Sequence, residues 1–161
     1  EMCIRDRHHL RSGTVNTAGA VGIQTALRLC VDEMTAQSAK SRQLRDRLYD
    51  QLTAEIKGIA LNGPPLDSPD RLAGNLNLVL PGIEGAAWMS ATPEVAFSSG
   101  SACSSVEAKP SHVLTALGLD ESMARRSVRL GVGRFNTEEE IDLASKQLVD
   151  SYGQVAAKGQ S

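Results

Sequence analysis

Residues 98–114 read SSGSACSSVEAKPSHVL, and Cys103 stands there among serines, glycine and alanine, just after an apolar stretch that reads as a strand. A thiol used as a small core hydrophobe keeps bulky apolar neighbours, and this one has none. Residues 99–109 are mostly small or polar, which predicts a loop between a strand and a helix that can present a thiol instead of burying it. Nucleophilic use of a cysteine needs that access together with surroundings that favour the thiolate. The sequence supplies the access, and an incidental surface cysteine would carry the same signature.

Arg129 is the second residue with usable chemistry. In VRLGV (residues 128–132) it alternates with Val128, Leu130 and Val132, so its guanidinium projects from the face opposite the apolar one, beside Gly131. A planar fork of donors suits a carboxylate. A solvated arginine on an open sheet face is the plainer alternative. Thr14 closes RSGT (residues 11–14), a small turn before a helix whose hydroxyl, arginine and amides could hold a phosphate, although the same residues serve as ordinary turn and cap residues. His112 has no second histidine or carboxylate at ligand spacing and reads as a helix-surface or packing residue. The acidic run at residues 138–140 complements the dipole of a helix that starts there.

These residues need elements to position them. From about Asn16, Ile23, Leu27, Cys30, Val31 and Met34 recur at helical intervals, and Leu44, Leu48, Leu52 and Ile56 continue the stripe. This predicts two consecutive helices or one long kinked one ending at Gly58, with Cys30 as a small buried hydrophobe on the stripe. Residues 59–61 read as a short strand and NLNLVLP (residues 75–81) as a half-buried one, its leucines alternating with Asn75 and Asn77. A short helix over residues 84–91, a strand over 95–98, and a helix that begins at Pro110 and stops at Gly118 follow. After the Arg129 strand, Thr137 and Glu140 stand at capping-box spacing before a last helix carrying Ile141, Ala144, Leu148, Tyr152 and Val155. Strands and helices do not alternate strictly, so the expected class is α+β, a small sheet with helices on one side.

Composition narrows the function. The 161 residues carry a net charge of -2, and the isoelectric point is near 5.9, which argues against nucleic acid or anionic lipid as a partner. No run of about 18 apolar residues offers a membrane span, and no secretory signal is visible. The three cysteines, Cys3, Cys30 and Cys103, lack any C-x-x-C spacing, so neither a disulfide framework nor a zinc site is indicated. A reducing, cytoplasmic compartment is expected. The first seven residues, EMCIRDR, resemble translated adaptor sequence at the end of a truncated reading frame. The chain is therefore expected to divide into a non-native or truncated start (1–9), a single domain (10–157) and a frayed tail (158–161).

RSGTVNTAGAVG, SSGSACSS, PSHVLTALGL and VRLGVGRFNTEEEID, in that order, resemble the C-terminal part of a cysteine desulfurase of the NifS/IscS type, from about Leu10 to the last helix. The resemblance implies the small C-terminal domain of a fold-type-I, class-V aminotransferase-like enzyme dependent on pyridoxal 5′-phosphate, with a long N-terminal helix. It implies that L-cysteine is converted to L-alanine with a persulfide left on Cys103, that Arg129 holds the substrate carboxylate, and that Thr14 reaches the cofactor phosphate of the neighbouring subunit in a homodimer. The persulfide sulfur would pass to an iron-sulfur scaffold or a tRNA-thiolation factor. In some relatives the loop cysteine also ligates a shared 2Fe-2S cluster, a role that would fall on Cys103.

The chain departs from that pattern in places. The lysine that forms the Schiff base, the histidine that stacks on the cofactor ring and the aspartate that pairs its nitrogen have no match here, so the chain alone is expected to be inactive. EMCIRDRHH replaces the glycine-rich lead into RSGT, and Lys109 stands where an acidic residue is common. Two other readings are a stand-alone persulfide carrier that binds a scaffold, and a class-V transferase of the selenocysteine lyase kind.

Overall fold

The computed structural model describes residues 15–99 and 111–159. The described residues fall into two compact units that divide between Ala36 and Gln37. In the first unit, Asn16 starts helix α1 (Thr17–Glu55): its side-chain Oδ1 accepts from the Gly19 amide at 2.8 Å. Val21, Ile23, Leu27, Val31 and Met34 are all exposed there. Cys30 is exposed as well, which corrects the expectation of a buried thiol. Helical spacing identifies an apolar stripe, but only a packed partner buries it, and no described residue covers this stretch.

The second unit holds the core. Leu44, Leu48, Leu52 and Ile56 are each 3% exposed or less, so the later half of the predicted stripe is a packing face. One helix covers the stretch where two consecutive helices were an option, and the chain leaves it through Gly58 at φ 88°. Strand β1 (Ala60–Leu61) pairs antiparallel with β2 (Asn75–Val79). Helix α2 (Gly85–Ala91), strand β3 (Ser98–Ser99), the short helices α3 (His112–Ala116) and α4 (Glu121–Arg125), strand β4 (Ser127–Gly131) and helix α5 (Glu138–Lys158) complete the order. Among the described residues the sheet runs β1-β2-β4-β3, antiparallel throughout. This is the α+β architecture expected.

Alternation along β2 and β4 makes the sheet two-faced. Leu76, Leu78, Val128 and Leu130 are buried against α1 and α5 residues such as Leu52 and Leu148, each such side chain contributing about 1.5–3 kcal/mol. Register depends on Gly74. A Cβ there would lie 1.9 Å from the Val132 carbonyl oxygen, so only glycine lets the two strands meet where the Val132 amide donates to Gly74 O.

Trp88 ties α2 to α5. It is fully buried, its indole N–H lies 2.9 Å from Leu148 O and 3.0 Å from Ser151 Oγ, and Phe97 and Tyr152 meet its ring edge-on. Phe97 and Val95 pack sideways on this core, which leaves only Ser98 and Ser99 to pair as strand where residues 95–98 were expected. Thr137 and Glu140 form the expected capping box at the start of α5.

Two buried arginines hold the loop between β1 and β2, Arg45 from α1 and Arg71 from within the loop. Arg45 is fully covered, pairs with Asp46 at 2.7 Å and donates to Leu66 O. Arg71 donates to Pro64 O, Asn62 O and Asn75 O, and burial, with Arg45 nearby, pushes its pKa down. Together they fold the loop back on β2 and fix Asn62 there.

At the surface, Arg47 on α1 grips Asp142 on α5 with two hydrogen bonds of 2.7 and 2.8 Å, and Gln51 adds a third at 2.7 Å. These hydrogen bonds, with the Arg47 charge, hold Asp142 down to about 2 from 3.8. Because the folded pKa is depressed, this stabilisation is fully present above pH 3.8 and is lost as pH falls through about 2. In Arg47→Ala the Asp142 midpoint, followed by carboxyl-carbon NMR, is expected to move back toward 3.8. A midpoint that stays put would contradict the assignment.

Candidate functional site

The polar face of the sheet carries Arg129. Its register partners are Asn77 on β2 and Ser98 on β3, so the three side chains lie in one row across the sheet, facing away from the leucine core. Arg129 is exposed while Val128 and Leu130 beside it are buried, as the alternation predicts. No described residue hydrogen-bonds or ion-pairs with the guanidinium. Asn77 and Ser98 are half-buried. A cleft of about 430 Å³ is lined by Glu84, Glu121 and Arg125 among others, and one of about 380 Å³ by Gln51, Asp142 and Lys146 among others, neither of them including Arg129.

Cys103 and Thr14 lie outside the described residues, and Pro110 and Lys109 do too. What the structure gives for Cys103 is the frame on either side of its segment. Ser99 ends β3 paired with Val128, and Ser111 stands at the N-cap position of α3 without a side-chain cap hydrogen bond. His112 is exposed on α3, as a helix-surface residue, and no cluster of three metal-ligating side chains occurs among the described residues. No described helix is long and apolar enough to cross a membrane.

Pyridoxal 5′-phosphate needs an amine for its aldehyde. Every described lysine is exposed, and Lys40 and Lys57 donate to the backbone oxygens of Arg134 and Ala54.

Sequence reasoning singled out Arg129 and passed over its neighbours. The alternation in NLNLVLP already placed Asn77 opposite the leucines, but which β4 residue it meets depends on a register that no short stretch encodes.

A small antiparallel sheet with a long helix and a C-terminal helix on its apolar face defines an α+β domain of the kind found in NifS-like proteins. A solved structure titled NIFS-like protein superposes with a TM-score of 0.72 at 26% identity, over 90% of this chain and 36% of that one. A NifS-like protein from Rickettsia africae has the same fold, also with a TM-score of 0.72, over 89% of this chain and 37% of that one at 23% identity. The family model for class-V aminotransferases matches residues 3–143, and the chain belongs to that family. Among curated relatives, cysteine desulfurase IscS of Tolumonas auensis is 43% identical over 91% of this chain and 35% of its own length. Its namesake from Ehrlichia chaffeensis is 42% identical over 88% of this chain and 34% of its own. The chain therefore spans about a third of the length of these relatives.

Proposed function

We propose that this protein works as a cysteine desulfurase. L-cysteine and the Cys103 thiol give L-alanine and a Cys103 persulfide: a sulfur-sulfur bond forms as the Cβ–S bond of the substrate breaks, the bonding pair stays with Cβ, and a proton takes the place of sulfur on that carbon. Arg129 holds the substrate carboxylate through its paired donors. Pyridoxal 5′-phosphate supplies the electron sink when bound, with its Schiff-base lysine outside this chain and Thr14 directed at its phosphate across a homodimer. Cys103 then hands the sulfur to an acceptor protein of iron-sulfur assembly or tRNA thiolation in the cytoplasm, and it is the residue here suited to ligate a shared 2Fe-2S cluster.

The observation that carries this reading is the register of β3 on β4. Ser98 lies beside Arg129, and Ser99 is the last described residue before the Cys103 segment. Four residues of chain (103 minus 99) span at most about 14 Å, which supports a Cys103 thiol that serves a substrate held on Arg129. The relatives named cysteine desulfurase support the same reading.

The test is alanine formation from L-cysteine by the intact protein. Arg129→Ala is expected to lower kcat/KM by about a hundredfold or more, the loss of two charge-assisted hydrogen bonds. An unchanged kcat/KM would remove Arg129 from the site.

A further inference from the structure

The neighbour of Arg129 on the sheet has its orientation fixed by a chain of hydrogen bonds that begins elsewhere. The Ser127 hydroxyl donates to Met123 O at 2.8 Å, so its proton is committed and its oxygen accepts. The group that faces it at 3.0 Å, from Asn62, is therefore the amide nitrogen. The other proton of that same Nδ2 goes to Asn77 Oδ1 at 2.7 Å. With its oxygen turned toward Asn62, Asn77 keeps Nδ2 for the other side, and no described residue accepts from it.

Asn62 is itself firmly placed. It is 6% exposed, its amide donates to Asn77 O at 2.9 Å, and its carbonyl accepts from Arg71. Asn77 and Arg129 are direct register partners on the same polar face, at a spacing where their side chains meet.

We propose that Asn77 is a carboxylate-binding residue: its Nδ2, aimed by the Asn62–Ser127 relay, donates alongside the Arg129 guanidinium and makes the pair a three-donor cradle for the carboxylate of an amino-acid substrate. The inference rests on the reading of Arg129 given above and adds the device that sets direction. A guanidinium alone attracts any anion. An amide locked with its donor side outward fixes the plane in which a carboxylate lies, because a carboxylate oxygen accepts from it and an ammonium group, which has no acceptor, gains nothing.

The test uses steady-state alanine formation from L-cysteine by the intact protein and its Asn77→Asp, Asn77→Ala, Asn62→Ala and Arg129→Ala variants. Asn77→Asp is the decisive one. The new carboxylate still accepts from Asn62, so the internal bond is kept, while its second oxygen faces the substrate carboxylate. KM is expected to rise about a hundredfold with kcat nearly unchanged, as like charges demand. Asn77→Ala is expected to raise KM about tenfold, one hydrogen bond to a charged group. Asn62→Ala frees the amide to turn and is expected to raise KM in the same direction. If Arg129→Ala raises KM and Asn77→Asp does not, the inference is overturned while the function stands. If neither variant changes KM, the carboxylate site itself is wrong.

Discussion

Cys103→Ser is expected to abolish both persulfide formation and steady-state release of alanine from L-cysteine. Serine keeps the size and the loop chemistry of SSGSAC, so the change is confined to one atom. A hydroxyl is not ionised near neutral pH as a thiol can be, and oxygen cannot accept sulfane sulfur as a stable persulfide. Binding of L-cysteine through Arg129 should survive, because that residue stands on β4 and its exposure is set by the sheet. The expected signature is therefore lost turnover with retained substrate binding. Turnover that continues in the variant would mean that sulfur leaves without a Cys103 intermediate, as in a lyase that acts on selenocysteine, and comparison of the two amino acids would then separate the classes.

Trp88→Ala is expected to cost about 3–5 kcal/mol in chemical denaturation, the range for removing a large buried aromatic side chain. Trp88 is fully buried, and its loss empties the space between α2 and α5. It also strips a hydrogen bond from Leu148 O and one from Ser151 Oγ, which are buried. Trp88→Phe separates the two contributions by keeping much of the apolar contact and losing the indole N–H. The effect should reach the site, since Phe97 packs edge-on against Trp88 at 5.3 Å and immediately precedes β3. Loosening Phe97 loosens the strand from which the Cys103 segment departs. A loss below about 1 kcal/mol in Trp88→Ala would show that the aromatic cluster is not a main element of the core.

The parts of this fold governed by short-range periodicity were readable in advance. The stripe from Leu44 to Ile56, the alternation of leucine and asparagine in β2, the split of Arg129 from Val128 and Leu130, and the box at Thr137 and Glu140 each depend on residues a few positions apart. Helix α4 was not foreseen. It has five residues and one buried side chain, Ala124, so no apolar period announces it, although Asp120 caps it by accepting from the Met123 amide at 2.7 Å. Cys30 misled for a complementary reason, since its stripe is real but nothing among the described residues covers it.

The candidate site was legible only by residue. Arg129 and Cys103 could be singled out from their neighbours in sequence. The row Asn77, Arg129, Ser98 could not, because it is created by pairing three strands that lie up to 52 residues apart (129 minus 77). Nor could the buried Arg45 be told from the solvated arginines around it, since its companions Asp46 and Leu66 O are supplied by the helix and a loop that folds over it.

The most direct measurement of the central claim is the mass of the cysteine-bearing peptides after the intact protein meets L-cysteine. The account predicts that the peptide carrying Cys103 gains one sulfur atom, that a thiol reductant removes it, and that the peptide carrying the exposed Cys30 stays unmodified. Sulfur on Cys30, or on no cysteine while alanine accumulates, would contradict it.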